Sequence, residues 1–353
     1  MFDVILPIAG VWVNIGIIAL VGLLIGFVSG LFGVGGGFLM TPILIFLGVP
    51  PSIAVATGSA QLVASASFGT AIAYRKGLID RTLSIYLLIG AMIGTGLGIS
   101  IFNLLNKMGR LDHFVAVAYV VLLGLVGGFM LKESLGAVNA TSTTDDDRPT
   151  ENAIQRWLSR QGFQKEFPKF GITLSLPPLL IISITIGLIG TVLGVGGGFM
   201  FVPALIYLFR LPTRAAVAAS QVQILVTMIV ATVLHAVYNH AIDVVLALPL
   251  ILGGVFGAHL GALLGRIVGG ARFRLALALL ILGVALRFLY ALARTLFEPS
   301  SSEPATPIPL SALPSWEGWV ALVAQNNSLF YGLATMIIAI LAGFGASILL
   351  HRD

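Results

Sequence analysis

The sequence predicts an all-α polytopic membrane protein: two inverted-topology repeats of five helical segments each, plus one C-terminal transmembrane helix. Three observations predict it. The chain of 353 residues is 58% hydrophobic and only 9% charged, whereas a soluble domain carries about a quarter charged residues. Its apolar runs reach the roughly 20 residues that a bilayer helix needs, and no charged residue stands between Pro7 and Tyr74. A glycine-rich string recurs in the second half with its surroundings in the same order, the mark of an internal repeat.

Helical segments are expected at 9–32, 38–48, 52–74, 82–104, 113–132, 177–193, 199–209, 213–238, 243–266, 272–296 and 329–350. They group into a first unit (9–132), a second unit (176–297) and a C-terminal helix within 329–353. The polar stretch 133–175 carries Asp145-Asp146-Asp147, Arg148, Glu151, Arg156, Arg160, Lys165 and Lys169. It reads as a cytoplasmic linker outside the bilayer, with one amphipathic helix around Ile154–Arg160. In 298–328, Pro299, Pro304, Pro307, Pro309 and Pro314 exclude a continuous helix, and Trp316 and Trp319 suit an interfacial anchor on the extracytoplasmic side. The N-terminal Met1-Phe2-Asp3 lacks a basic n-region, so no cleaved signal peptide is expected.

The repeat is explicit. Gly33-Val34-Gly35-Gly36-Gly37-Phe38 returns as Gly194-Val195-Gly196-Gly197-Gly198-Phe199, with Pro42 and Pro203 at the same spacing. Val49-Pro50 matches Leu211-Pro212, and Leu78-Ile79-Asp80 matches Ala241-Ile242-Asp243. Gly90, Gly94 and Gly98 match Gly253, Gly257 and Gly261, with Gly265 continuing the second series. The four-residue spacing of these glycines reads as a close-packing helix face. Loop charges then relate the units. In the first, the loop before Ser52 has no Lys or Arg and the next carries Arg75, Lys76 and Arg81. In the second, Arg210 and Arg214 flank the earlier loop and the later one, at Asn239-His240, has none. The positive-inside bias puts corresponding loops on opposite sides, as in an inverted repeat. The expected topology has the N-terminus outside and both the linker and the C-terminus inside, although Lys107 and Arg110 then fall outside.

The glycine strings interrupt apolar runs, and glycine costs about 1 kcal/mol in a helix interior relative to Ala. The following segments hold about 11 residues, or ~16 Å of helix, half the bilayer core. Each unit is therefore expected to hold a helix, a glycine break and a half-helix. A helix starting at such a break offers unpaired N–H groups and the positive end of its dipole, which bind anions. The expected substrate-binding residues are Gly35, Gly36, Gly37, Phe38, Gly196, Gly197, Gly198 and Phe199 at the breaks, with Thr57, Ser59, Gln61, Ser220, Gln221 and Gln223 just beyond the half-helices. The competing readings are tight helix packing for the glycines and interhelical hydrogen bonding for the polar side chains. His235 and His259 are candidates for a proton relay, with hydrogen-bonded packing an equal alternative. Asp80 and Asp243 are expected to cap the helices that follow them. Arg287 reads as a snorkelling side chain.

Much else is excluded. Without Cys there is no disulfide, thiolate metal site or cysteine nucleophile. No Walker loop, His-Glu-x-x-His or Gly-x-Ser-x-Gly occurs, so neither an enzyme nor a bound cofactor or metal is expected. The net charge of +5 sits in short loops rather than on a basic face, which argues against nucleic acid. The expected partners are the lipid bilayer and a small anionic substrate; a homo-oligomer is left open.

The paired Gly-x-Gly-Gly-Gly-Phe strings, the Pro that follows each and the duplicated unit resemble the TauE/SafE (TSUP) family of sulfite exporters, over roughly 15–131 and 180–290. The resemblance implies a bacterial or archaeal inner-membrane carrier for sulfite, thiosulfate or organosulfonates. Family members often show a Thr-Ser pair after the half-helix; here the stretches read Thr57-Gly58-Ser59 and Ala219-Ser220-Gln221. An anion channel, or a carrier of a non-sulfur organic anion, is the alternative.

Overall fold

The computed structural model describes residues 3–32, 35–139, 163–167, 169, 172–264, 271–297 and 328–349. The expected helix at Ile154–Arg160, Gly33, Val34 and Gly265, and the Pro-rich segment with Trp316 and Trp319 lie outside the described residues. The helices are α1 (Ile15–Phe32), α2 (Gly37–Phe46), α3 (Pro51–Arg75), α4 (Arg81–Lys107), α5 (Leu111–Asn139), α6 (Leu176–Val192), α7 (Gly198–Tyr207), α8 (Thr213–Asn239), α9 (Val244–Leu264), α10 (Ala271–Phe297) and α11 (Ser328–Leu349). Two antiparallel hairpins join them: β1 (Asp3–Ile5) with β2 (Trp12–Asn14), and β3 (Gln164–Phe167) with β4 (Ile172–Ser175).

Six helices, α4, α5 and α8 to α11, are long and apolar enough to cross a membrane. Their outer faces expose large apolar side chains, including Ile85, Ile89 and Ile93 on α4, Leu125 and Phe129 on α5, and Leu279 and Leu286 on α10. In water that surface is a liability; in a bilayer it meets acyl chains, and the helices satisfy their own backbone groups. The protein is a multi-pass helical membrane protein. The central helix α3 is different: it is rich in Ala and Ser, and every residue from Ile53 to Phe68 is buried.

Residues 9–14, expected to open the first helix, form a turn and strand instead. Gly10 adopts φ 65°, and the turn is closed by Leu6 N–H to Val11 O at 2.9 Å and Gly10 N–H to Leu6 O at 2.8 Å. The expected linker is partly regular: α5 runs on to Asn139, and β3–β4 lies against the α3–α4 loop, where Lys169 Nζ donates to Ile79 O at 2.6 Å. Asp80 caps α4 by accepting from Leu83 N–H at 2.9 Å.

The glycine series do pack helices closely. Gly253, Gly257 and Gly261 of α9 lie against Ala19, Leu23 and Phe27 of α1, while Gly22, Gly26 and Gly30 of α1, which the sequence reading did not single out, lie on Leu250, Gly254 and Ala258 of α9. Gly90, Gly94 and Gly98 of α4 lie against α6 from Leu180 to Thr191. In both pairs the residue numbers rise together, so the helices run parallel. Between sequence-matched helices they run oppositely. Ser59 of α3 reaches Thr232 of α8 (2.9 Å between hydroxyl oxygens), while Gly69 of α3 lies on Gln221 of α8. Likewise Tyr119 of α5 stacks on Phe288 of α10, and Gly127 lies on Leu282.

Two ends result. A basic end gathers Arg75, Lys76, β3–β4, Arg210 and Arg214. Arg75 donates to Ser347 O at 2.9 Å, which places the C-terminal end of α11 there too. The opposite end holds β1–β2 and the α8–α9 loop, joined by Ile8 N–H to Asp243 Oδ2 at 2.9 Å.

Candidate functional site

The site is built on the two glycine breaks. A Cβ at Gly36 would fall 2.5 Å from Ile25 Cγ2, and one at Gly197 2.7 Å from Ile186 Cγ2. Ile25 and Ile186 sit midway along α1 and α6, so α2 and α7 each double back beside the helix before them. Glycine permits this: Gly35, Gly196 and Gly197 have φ of 71°, 74° and 75°, a region closed to most residues with a Cβ. The two half-helix starts meet. Phe38 stacks on Phe199 with ring centroids 4.7 Å apart, and a Cβ at Gly37 would lie 2.5 Å from Val195 O. Leu39 and Met40 N–H donate to Gly36 O, and Met200 and Phe201 N–H to Gly197 O. The preceding amides, of Gly37, Phe38, Gly198 and Phe199, are those that a helix start leaves without an i−4 acceptor. No backbone acceptor for them is found among the described residues.

The polar side chains beyond the half-helices divide into two groups. Counted from the matched Pro50 and Pro212, Gln61 and Gln223 both stand eleven residues on (61−50 and 223−212), and Ser65 and Thr227 both stand fifteen on. The geometry repeats as well: Gln61 Nε2 donates to Ser65 Oγ at 2.8 Å and Gln223 Nε2 to Thr227 Oγ1 at 3.2 Å. Both Gln Oε1 atoms are buried with no partner among the described residues, and such atoms carry a desolvation cost of about 1–3 kcal/mol. The others are engaged structurally. Thr57 Oγ1 accepts from Asp243 N–H at 3.0 Å, Ser59 Oγ donates to Ala56 O at 2.6 Å, and Ser220 Oγ donates to Val217 O at 2.8 Å. Gln221 faces the basic end, away from the breaks.

Sequence reading missed three side chains at the breaks. Leu62 Cδ1 lies over Gly37 and Gly196, and Ile224 covers Gly35 and Gly196. They are matched residues, each twelve beyond its Pro (62−50 and 224−212), but an apolar residue in an apolar helix gives no signal. Tyr119 OH donates to Leu193 O at 2.7 Å, pinning the second break from α5, and nothing in the repeat pattern marks it.

At the basic end a cavity of about 690 Å³ opens between α1, α3, α8 and α9. Lys76 and Arg214 line it together with Ser29, Ser65, Thr213 and Gln221. Ser65, the hydroxyl that Gln61 holds, links this vestibule to the centre. The two histidines are not brought together. His235 is four residues from the end of α8 at the opposite end, its Nδ1 3.1 Å from Asn239 Nδ2 and its ring edge-on to Phe102. His259 lies edge-on to Phe68 of the vestibule wall, ring centroids 6.1 Å apart. Arg287 covers the ring of Phe46 at 5.2 Å.

Asp243 caps α9 through Oδ1, which accepts from Val245 N–H at 3.1 Å and Leu246 N–H at 3.3 Å, while Oδ2 accepts from Ile8 and Ala9. Burial pushes its carboxyl above the ordinary value, and these four N–H groups pull it back down. Among the described residues no group of three or more His, Asp and Glu is placed to hold a metal.

Residues 18–288 match the family described as sulfite exporter TauE/SafE. The chain is 27% identical over 238 residues to the probable membrane transporter protein YjnA of Bacillus subtilis, covering 67% of this chain and 85% of that one. It is 29% identical over 238 residues to a probable membrane transporter protein of Xylella fastidiosa, covering 66% and 78%. An Arabidopsis thaliana sulfite exporter TauE/SafE family protein is 29% identical over 121 residues, or 33% of this chain and 25% of that one. No solved structure matches. With a family match that runs from α1 into α10, the chain belongs to the TauE/SafE family of membrane transporters.

Proposed function

We propose that this protein is a secondary transporter of a small sulfur-containing anion (sulfite, thiosulfate or an organosulfonate) across the bacterial or archaeal cytoplasmic membrane. The carrying observation is the meeting of the two half-helix starts at the Phe38–Phe199 stack. The amides at these starts and the helix dipoles favour negative charge without a charged side chain, and irregular backbone at membrane depth is tolerated only where it is buried in protein or lines a cavity. Gln61 and Gln223, each one residue before the Leu62 or Ile224 that covers the breaks, are read as a matched pair of polar ligands. The antiparallel crossing of matched helices supports two inverted repeats, so that rocking one unit against the other would expose the breaks alternately. The positive-inside bias puts the basic end in the cytoplasm with the C-terminus, and β1–β2 with the N-terminus outside.

Proteoliposome flux with a panel of sulfite, thiosulfate, sulfate, isethionate and taurine tests this reading. A carrier gives saturable uptake that is accelerated by the same anion on the far side. Gln61→Leu and Gln223→Leu each lower flux by about tenfold, the loss of one hydrogen bond of about 1.4 kcal/mol donated to the anion by the Nε2–H that Ser65 or Thr227 does not use. Rapid conductance that never saturates would mark a channel, and no flux of any anion on the panel would remove the reading.

A further inference from the structure

We propose that the vestibule at the basic end is an anion-binding site in its own right, in which Lys76 and Arg214 hold an oxyanion or sulfonate headgroup before it reaches the glycine breaks; the proposal rests on reading the chain as an anion carrier. The donors come from separate elements. Lys76 follows α3, Arg214 and Thr213 begin the 27-residue α8, and Ser29 and Ser65 project from α1 and α3. The positive end of the α8 dipole therefore points at the space that the two cations border. Among the described residues no Asp or Glu lines the cavity, so two like charges share one partly enclosed space whose described wall offers no carboxylate to neutralise them. An anion is the ligand that such a cavity draws.

The deeper wall fits the same ligand. Ser29 and Ser65 are only 5% and 6% exposed, yet both line the cavity. Ser65 accepts the Gln61 amide, which leaves its hydroxyl proton to donate. Among the described residues Ser29 Oγ has no hydrogen-bond partner. A bias of loop charge toward the cytoplasm accounts for cations at a surface, but not for buried hydroxyls beneath them. The repeat supplies an internal control. The residues matching Arg214 and Lys76 by their count from the proline are Ser52 (two residues beyond Pro50, as 214−212) and Tyr238 (26 beyond Pro212, as 76−50). The charged cradle is therefore built into one unit boundary and absent from its counterpart. Leu62 and Ile224, which cover the breaks, stand three residues, about one helical turn, from Ser65 and Gln221 of the cavity wall, so an anion held here is at a separate station from one held by the half-helix amides.

The chain contains no Cys, so a single reporter thiol reads the cavity directly. In the purified full chain, Ser29→Cys and, separately, Ala73→Cys are labelled with a sulfonatoethyl and with a trimethylammonium-ethyl methanethiosulfonate, each rate normalised to free thiol. The sulfonate reagent should react about tenfold faster or more at either position, the focusing expected of a charged cleft. Methanesulfonate should protect both thiols. Adding Lys76→Gln with Arg214→Gln should bring the rate ratio to near one and abolish protection. A ratio near one with both cations present, a ratio that survives their removal, or no protection by methanesulfonate would each overturn the proposal. Labelling does not depend on flux. Normal charge preference with no transport would sink the carrier reading alone, and normal transport with no charge preference would sink this site alone.

Discussion

Asp243 shows how much one residue can carry here. Its carboxylate caps α9 and, through Ile8 and Ala9, ties β1–β2 to the α8–α9 loop, while its own N–H donates to Thr57 of the central helix. A carboxyl whose folded-state value is raised stabilises the fold as the neutral acid. That contribution is full below the unfolded value, about 3.9, and is lost as pH rises through the raised folded value. The melting temperature should therefore rise as pH falls from 7 toward about 4, and Asp243→Asn should remove that part of the rise while keeping an acceptor oxygen for the backbone amides. A pH profile unchanged by Asp243→Asn would contradict the raised value. The matched residue Asp80 was equally legible as a cap, and it caps α4. The second duty of Asp243 was not legible, because it depends on a hairpin more than 200 residues away in sequence, and strands of three residues leave no periodic signal.

At the scale of elements, the helix pairs α1–α9 and α4–α6 are fixed by backbone contact rather than by side-chain volume. A Cβ at Gly94 would collide with Ile184 O, whereas one at Gly96, two residues along, meets nothing within 4 Å. Gly94→Ala should lower stability by more than about 2 kcal/mol, since helices rather than a flexible side chain must shift. Gly96→Ala should be neutral or stabilise by up to about 1 kcal/mol through helix propensity. Thermal unfolding in detergent compares the two, and equal effects would contradict the packing assignment. The stripes of α4 and α9 were readable from spacing alone; that of α1 was not singled out. The glycine breaks were readable too, because clustered glycine in an apolar run has few other uses. The equivalence of Gln61 and Gln223 was less plain, because one extra residue between Pro203 and Leu211, relative to Pro42 and Val49, shifts the count that Pro50 and Pro212 restore.

For the whole molecule, α1 of one unit lies along α9 of the other while α4 lies along α6, so each unit packs its first helix on the other's fourth. Such an exchange brings both half-helix starts to one place while leaving the two ends of the molecule different. One end is covered by β1–β2, whose Leu6 is fully buried, and the other opens as the Lys76–Arg214 vestibule. The membrane class followed from composition, but the vestibule could not be read in advance: its wall is drawn from four helices that are far apart in the sequence.

The amide ends of α2 and α7 together are proposed as the anion cradle. The most direct measurement is an experimental structure with selenite in place of sulfite, located by its anomalous scattering. A selenium peak should lie within hydrogen-bond reach, about 3–4 Å from selenium to amide nitrogen, of the N–H groups of Gly37, Phe38, Gly198 and Phe199, with Leu62 and Ile224 drawn aside. Bound selenium found only elsewhere, with those amides still covered by Leu62 and Ile224, would contradict it.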